Sequence, residues 1–149
     1  MSTVKELLDE KGRSVFSISE DATVYDAVAL MAEKNVGALT VTSSSSNLAG
    51  IISERDYTRK IILKDRASKS TRVSEIMTAD VIFAREDTPL QKCMTLMTGK
   101  KIRHLPIVND GEPSGMITLG DIMKTIIQQQ ELTIEELESF MFLEEGGEG

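Results

Sequence analysis

Apolar and polar positions alternate along the chain in short segments, and the same order of segments occurs twice. Apolar residues at helical spacing predict helices, two-residue alternation predicts strands, and clusters of Ser, Asn, Gly and Pro mark turns. The first pass predicts a helix at 3–10, a strand at 15–18, a helix at 23–35, strands at 37–41 and 50–53, and a helix at 56–64. The second pass predicts the same types at 73–77, 81–84, 88–101, 103–108, 115–118 and 121–130. Thr23 and Thr88 are the predicted N-caps of the two longer helices.

The two passes are a sequence duplication. Residues 20–42 align with 86–108 at an offset of 66, and residues 50–56 align with 115–121 at an offset of 65. Each half is too small to cover both faces of a three-stranded sheet, so we expect the halves to pack together. The predicted fold class is α+β, with tandem β-α-β-β-α repeats related by a pseudo-two-fold axis. The predicted boundaries are 1–66 for the first repeat with its N-terminal helix, 67–130 for the second, and 131–149 for a tail.

The tail differs from the repeats in composition. It holds Leu132-Thr133-Ile134-Glu135-Glu136-Leu137, in which Thr133 and Glu136 form a capping box, so a helix is predicted to about Leu143. A lone helix of this length is marginal in water and needs a surface to pack on. That surface is either the body of the chain, a second copy, or a partner that the helix docks. The closing Gly-rich residues 146–149 are expected to be disordered.

The net charge of −7 belongs to this tail, because seven glutamates follow Gln130 and residues 1–130 are formally neutral. A neutral body without Trp argues against general binding to nucleic acid. Cys93 is the single cysteine, so a disulfide within the chain and a CxxC site are excluded, and we expect a small buried core residue. No segment is typical of a membrane span or a secretory signal. We therefore expect a cytoplasmic protein, or one in an organelle matrix if a targeting peptide has been removed.

One motif in each half carries candidate chemistry. Gly50-Ile51-Ile52-Ser53-Glu54-Arg55-Asp56 and Gly115-Met116-Ile117-Thr118-Leu119-Gly120-Asp121 each give a glycine, a short strand, a hydroxyl residue and an aspartate that opens a helix. Such an aspartate suits the hydroxyls of a ribose, and the helix N-terminus suits a phosphate. A purely structural helix cap uses the same residues.

Motifs for catalysis are missing from the sequence. It has no glycine-rich phosphate loop with a lysine, no GxSxG, no His/Cys ligand cluster and no credible pair of nucleophile and base. We expect a chain that is not an enzyme and has no catalytic or metal-binding residues.

The repeats resemble a pair of cystathionine-β-synthase (CBS) domains of the stand-alone type, the arrangement called a Bateman module. The resemblance rests on residues 23–24, 37–39, 50–56, 102–107 and 115–121. It implies a regulatory module that binds an adenine nucleotide or adenosyl ligand (AMP, ADP, ATP, NAD(H) or S-adenosylmethionine), with or without magnesium, in clefts between the repeats. It further implies energy or redox sensing, a homodimer shaped as a disc, and a partner protein to which occupancy is transmitted. The alternative is a ligand-free module that docks a target through the disc face or the C-terminal helix.

The resemblance also implies site residues. Asp56 and Asp121 would hold ribose hydroxyls, and Ser53 and Thr118 would approach the ribose or phosphate. The other implied contacts are Ile18, Gly37 and Ala38 around adenine in the first repeat, Ala84 in the second, and the basic Arg55, Arg103 and His104 near phosphate. The first repeat has Gly37-Ala38 where the second has Arg103-His104, so we expect unequal sites. His104 has the alternative of being an exposed strand-edge histidine.

Overall fold

A computed structural model describes residues 2–129, together with 136 and 138–139. The helices are α1 (Val4–Lys11), α2 (Val24–Lys34), α3 (Glu54–Tyr57) with a π-helical turn (Thr58–Ile62), α4 (Val73–Ile76), α5 (Leu90–Lys100) and α6 (Leu119–Gln129). The strands are β1 (Ser17–Ser19), β2 (Ala38–Thr42), β3 (Gly50–Ser53), β4 (Ala84–Arg85), β5 (His104–Asn109) and β6 (Glu112–Thr118). Glu136, Glu138 and Ser139 are helical, and the rest of the predicted tail helix lies outside the described residues.

The strands form two sheets of the same topology. In each sheet the first strand runs parallel to the second, and the second pairs antiparallel with the third, in the orders β1-β2-β3 and β4-β5-β6. The helix between the first two strands supplies the crossover that a parallel pair needs. The predicted α+β fold with tandem β-α-β-β-α repeats is confirmed.

The compact units are not bounded as the sequence repeats are. Unit A comprises residues 15–82, and unit B comprises the described residues of the segments 2–14 and 83–129. The segment before each first strand therefore packs with the other half of the sequence. In unit B, the Val4 amide donates to the Thr88 carbonyl at 2.9 Å and the Lys5 amide to the Glu86 carbonyl at 2.8 Å. The predicted boundary at 66/67, with α1 in the first repeat, describes the duplication and not the packing.

In unit A the segment that corresponds to α1 is α4, which the sequence places in the second repeat. The Val24 amide donates to the Thr71 carbonyl at 2.8 Å, and the Val73 amide donates to the Ala22 carbonyl at 2.9 Å. These bonds place α4 in unit A beside the start of α2, as α1 lies beside the start of α5 in unit B. The described residues 67–82 therefore complete unit A, although the sequence assigns them to the second repeat.

The glycine that begins each motif is explained by this packing. An added Cβ at Gly50 would lie 2.6 Å from Met77 Sδ and 2.9 Å from the Thr78 carbonyl oxygen. An added Cβ at Gly115 would lie 2.9 Å from both δ-carbons of Leu8. The glycines thus let the residues directly after α4, and Leu8 of α1, approach the third strand of each sheet, and this role needs no ligand.

Helix faces and strand interiors supply each core. Unit A buries a cluster of nine hydrophobic residues: Val24, Ala27, Met31, Leu39, Val41, Ile52, Ile61, Val73 and Ile76. Unit B buries Leu8, Leu90, Met97, Leu105, Ile117 and Ile122, among others, at 2% exposure or less. Cys93 is fully buried, and burial raises the pKa of its thiol to about 11. The prediction that Cys93 is a core residue is confirmed.

Local departures from prediction have local causes. Thr23 caps α2 as predicted, accepting the Asp26 amide at 3.1 Å. The N-cap of α5 is Pro89, and Thr88 instead accepts the Arg85 amide at 3.1 Å, so the prediction for Thr88 is wrong. The helix predicted at 56–64 begins at Glu54 and becomes π-helical at Thr58, whose hydroxyl donates to the Glu54 carbonyl at 3.2 Å. Back-bonding of this kind distorts a helix.

Candidate ligand-binding site

The first motif lies where β3 meets α3. Ser53 ends the strand and is the N-cap of the helix, and its hydroxyl accepts the Asp56 amide at 3.3 Å. Asp56 Oδ2 in turn accepts the Ser53 amide at 2.9 Å and the Ser53 hydroxyl at 3.2 Å. This reciprocal arrangement is a capping box, which satisfies helix N–H groups that would otherwise lack partners. The Asp56 side chain is 15% exposed, so it is not completely closed off from solvent.

The second motif repeats this geometry where β6 meets α6. The Thr118 amide donates to Asp121 Oδ2 at 2.9 Å, and the Asp121 amide donates to Thr118 Oγ1 at 3.0 Å. The Asp121 side chain is 27% exposed. Both aspartates are therefore helix caps. The capping bonds reach Oδ2 in each case, so capping and ligand contact are compatible functions of one carboxylate.

Two further predicted residues in each unit lie beside these junctions. In unit A, Ala38 pairs with Ser53 across β2 and β3, and the Glu54 amide donates to the Gly37 carbonyl at 3.0 Å. In unit B, His104 pairs with Thr118, and the Leu119 amide donates to the Arg103 carbonyl at 3.1 Å. The basic pair of unit B thus occupies the positions that Gly37 and Ala38 occupy in unit A.

Ile18 and Ala84 lie farther along their sheets. Ile18 pairs with Val41, three residues along β2 from Ala38, and Ala84 pairs with Ile107, three residues along β5 from His104. At about 3.3 Å per residue, each lies roughly 10 Å along the strand from the junction. Ile18 is half-buried against the unit A core, and Ala84 is 7% exposed. Within a unit, the structure therefore does not bring these two residues to the aspartate.

Arg55 lies in the single turn of α3, one residue before Asp56, and is half-buried. Arg103 and His104 are likewise half-buried. The alternative of an exposed strand-edge histidine therefore stays open for His104, which is partly buried at the start of β5.

Two lysines contact the motif aspartates, and neither is predicted from the sequence as a site residue. Lys60 Nζ lies 3.1 Å from Asp56 Oδ1 and donates to the Ile76 carbonyl at 2.7 Å. Lys11 Nζ lies 2.5 Å from Asp121 Oδ2 and donates to the Met116 carbonyl at 2.7 Å. The four-residue spacing of Asp56 and Lys60 is a readable signal for a helical pair. Lys11 is 110 residues from Asp121, and nothing local in the sequence joins them.

A pocket opens beside Asp121 in unit B. It has a volume of about 250 Å³ and is formed by α1 and α6, with Glu10, Lys11, Asp121, Lys124 and Gln128 among its lining residues. Its lining mixes carboxylates with ammonium groups, which suits a polar ligand better than an apolar one. Asp121 thus lines a pocket that is large enough for a small polar molecule.

Charged side chains hold the end of α1 against unit B. Arg13 Nη2 lies 2.9 Å from Glu86 Oε1 and 2.7 Å from Asp9 Oδ1. Hydrogen bonds from the Arg13 guanidinium lower the pKa of both carboxyls, and the two carboxylates raise the pKa of Arg13. Lys11, the lysine that contacts Asp121, precedes this arginine by two residues in the chain.

Within 2–129 and the three described tail residues, no group of three His, Cys, Asp or Glu side chains is placed to hold a metal ion. The helices of that part of the chain are all too short or too polar to cross a membrane.

The repeated junctions and the duplicated topology can be compared with known proteins. The family model described as "CBS domain" matches residues 4–63 and again 73–128. The chain belongs to the CBS domain family. The resemblance stated from the motif residues is therefore confirmed, and the two matches make this chain a CBS domain pair.

Two known CBS proteins are similar to this chain over most of its length. The Arabidopsis thaliana CBS domain-containing protein CBSX3, named as mitochondrial, is 38% identical over 148 residues, which cover 94% of this chain and 72% of that protein. A solved structure of a protein with CBS domains from Burkholderia ambifaria is 43% identical with a TM-score of 0.81, covering 89% of this chain and 99% of the other. Other Arabidopsis CBS proteins are matched over only 24% of their length.

A more distant neighbour shares the fold alone. The CBS domain pair of protein MJ0100 superposes with a TM-score of 0.77 at 23% identity, covering 87% of this chain and 99% of the other. That structure is a complex with 5′-methylthioadenosine and S-adenosyl-L-methionine.

Proposed function

We propose that this CBS domain pair is a non-catalytic regulatory module that binds an adenine nucleotide or adenosyl ligand. The observation that carries the proposal is the repeated junction: a hydroxyl residue ends a strand, and an aspartate in the next helical turn presents a partly exposed carboxylate, in both units. A carboxylate is an acceptor with two oxygens, and a ribose offers two adjacent hydroxyl donors. Asp56 and Asp121 are the proposed ribose contacts.

The neighbouring residues extend each site. Ser53 and Thr118 start helices whose N-termini favour an anion. Arg103 and His104 lie beside Thr118 in the strand pairing, whereas unit A presents Gly37 and Ala38 there, so we propose that phosphate is held better in unit B. Arg55 is a further phosphate contact in this proposal. Ile18 and Ala84 are proposed adenine contacts.

The ligand class draws support from the MJ0100 domain pair, whose two bound molecules both carry an adenosyl group. AMP, ADP, ATP and NAD(H), with or without magnesium, belong to the same proposal. We further propose that occupancy is transmitted to a partner protein and that the chain forms a homodimer. The mitochondrial name of the Arabidopsis relative favours the organelle matrix over the cytoplasm as the location of this chain.

Replacement of both motif aspartates tests the site. In the Asp56→Ala, Asp121→Ala double variant we expect the thermal shift produced by adenine ligands in the wild type to vanish. A ligand at about one hundred times its dissociation constant adds about 2.7 kcal/mol, which moves the midpoint of a chain of this size by several degrees. The screen covers AMP, ADP, ATP, NAD(H) and S-adenosylmethionine, each with and without magnesium.

Asp26→Ala is the matched control. Asp26 holds the same position after the N-cap Thr23 of α2 but is exposed and is not a proposed site residue. This variant keeps the Thr23 capping bond, because the Asp26 main-chain amide donates it, and loses only the favourable negative charge in the first turn of α2. It should keep the full ligand shift. A double variant that still responds to adenine ligands would contradict the assignment of Asp56 and Asp121.

A second candidate function is a protein-interaction module without a ligand. Its supporting observation is the apolar end of the π-helical turn in unit A, where Ile62 is 57% exposed and Leu63 is 71% exposed. Under this alternative, none of the adenine ligands shifts the wild-type midpoint. Deletion of residues 131–149 separates the two proposals: a docking tail predicts that partner binding is lost, whereas a ligand site in the repeats predicts that the adenine-ligand shift is kept.

A further inference from the structure

The two motif aspartates share a feature that the duplication does not explain. In each unit an ammonium group links the carboxylate to a main-chain carbonyl: Lys60 links Asp56 to Ile76, and Lys11 links Asp121 to Met116. Lys60 comes from the helical turn that follows its aspartate. Lys11 is the last residue of α1, the N-terminal helix that packs in unit B.

The lysines occupy non-equivalent places in the repeat. At the offset of the motifs, the counterpart of Lys60 is Thr125, whose hydroxyl donates to the Asp121 carbonyl at 3.0 Å as an ordinary helical back-bond. The counterpart of α1 is α4, which ends at Ile76 and places no lysine on Asp56. Lysines at non-equivalent positions of the two repeats thus contact aspartates at equivalent positions. The duplication of the sequence therefore does not by itself account for these contacts.

The occupied lone pairs limit what each carboxylate can accept. Each carboxylate oxygen offers about two acceptor positions. In Asp56, Oδ2 accepts the amide and the hydroxyl of Ser53, and Lys60 takes a position on Oδ1. A ribose that brings two hydroxyl donors to Asp56 therefore competes with Lys60 for Oδ1.

In Asp121 the Thr118 amide and Lys11 Nζ both contact Oδ2. A ribose hydroxyl that donates to Oδ2 competes with the Lys11 ammonium group. A ribose hydroxyl that donates to Oδ1 does not, because Lys11 contacts Oδ2. Competition is thus expected to be stronger at Asp56 than at Asp121.

We propose that Lys60 and Lys11 are internal competitors for the Asp56 and Asp121 carboxylates, and that a ribose bound to Asp56 displaces Lys60 and breaks its hydrogen bond to Ile76. This inference rests on the proposed function. It adds a regulatory step to it, because Ile76 ends α4 and the chain runs from there through residues 77–82 to the start of unit B. Occupancy at Asp56 thereby acts on the segment that leaves unit A.

Adenosine is the probe for the test, because it carries a ribose but no phosphate, so that removing a lysine does not remove a phosphate contact. Calorimetric titration of Lys60→Met in an Asp121→Asn background isolates the Asp56 site. An exposed ion pair of this kind is worth up to about 1 kcal/mol, so adenosine should bind about two- to five-fold more tightly than to the background alone. Lys60→Gln should give the same gain, which guards against a folding defect of either variant.

Matched controls remove other lysines. Lys64 lies four residues after Lys60 and is exposed, so Lys64→Met should leave adenosine affinity unchanged. In an Asp56→Asn background, Lys11→Met should raise adenosine affinity at the Asp121 site by less than Lys60→Met raises it at the Asp56 site. Lys5→Met, which breaks the Lys5–Asp9 pair of the same helix, should gain nothing.

Hydrogen exchange tests the transmission step. In the wild type, adenosine should speed exchange of the Met77 amide, which donates to the Val73 carbonyl at 2.9 Å at the end of α4. In Lys60→Met, exchange should be fast without adenosine and should not change on binding. Equal or weaker adenosine affinity in Lys60→Met, or unchanged exchange at Met77 in the wild type, would overturn the inference. Absence of binding by adenosine and by every adenine ligand of the thermal-shift screen, in the wild type and in every variant, would instead refute the proposed function.

Discussion

At the scale of single residues, the aspartates of the two motifs illustrate how one side chain serves structure and ligand together. Asp56 and Asp121 cap helices through Oδ2, which is the structural alternative that the sequence leaves open. The sequence predicts the capping residues because Ser, Thr and Asp at a strand end are local signals. It does not predict Lys11, because the ion pair with Asp121 depends on a contact between residues far apart in the chain.

The two motif glycines give a prediction at the same scale. Gly50→Ala should lower the free energy of unfolding by about 1–3 kcal/mol, because its Cβ would lie 2.9 Å from the Thr78 carbonyl, and backbone does not yield easily. Gly115→Ala should cost less, since the atoms it meets are the flexible end of Leu8. Urea denaturation measures both.

Gly99→Ala is the control for this pair of variants. Gly99 lies within α5 with open space around it, so alanine should stabilise the chain by about 0.5–1 kcal/mol. Equal losses at positions 50 and 115 would contradict the distinction between a backbone obstacle and a side-chain obstacle.

At the scale of elements, the order of helices and strands follows from apolar periodicity, and the element ends depend on local bonds. The helix predicted at 23–35 is α2, because Val24, Ala27 and Met31 recur on one face and Thr23 caps it. β1 and β4 are shorter than predicted, since only Ser17–Ser19 and Ala84–Arg85 pair with a neighbouring strand. The π-helical turn at Thr58 is not predictable from apolar spacing, which Ile61 satisfies in either kind of helix.

The docking of α1 gives a prediction about pH. Arg13 holds the pKa of Glu86 below its ordinary value, with the Glu86–Ser114 hydrogen bond acting in the same direction and the Asp9 charge opposing it. A depressed pKa in the folded state stabilises the fold above the unfolded pKa of about 4.3 and loses that contribution as the pH falls through the folded pKa. The thermal midpoint of the wild type should therefore fall more steeply below about pH 4.5 than that of Glu86→Gln.

Glu10→Gln controls for the loss of any single negative charge on this part of unit B. Glu10 is an exposed residue of α1 and should leave the acid limb of the midpoint curve as steep as in the wild type. Parallel curves for the wild type and Glu86→Gln would show that the Arg13 cluster does not hold α1 in place.

At the scale of the whole molecule, the sequence predicts the duplication but not the assignment of segments to units. An amphipathic helix such as α1 carries Val4, Leu7 and Leu8 on one face and must bury them, yet this pattern does not say against which half. The answer depends on hydrogen bonds between main-chain groups, such as that from Val4 to Thr88, which leave no trace in side-chain spacing. The same holds for α4, whose short pattern is equally compatible with either half.

A pair of matched variants tests the exchange of segments. Leu8 and Ile76 are buried to 0% and 1% exposure, Leu8 on α1 in unit B and Ile76 on α4 in unit A. Truncation of either to alanine should cost about 2–5 kcal/mol. Because each side chain packs in the unit opposite to its sequence repeat, Leu8→Ala should speed amide exchange in β5 and β6, whereas Ile76→Ala should speed it in β2 and β3. Faster exchange in β2 and β3 alone for Leu8→Ala would mean that α1 packs with the repeat in which the sequence begins.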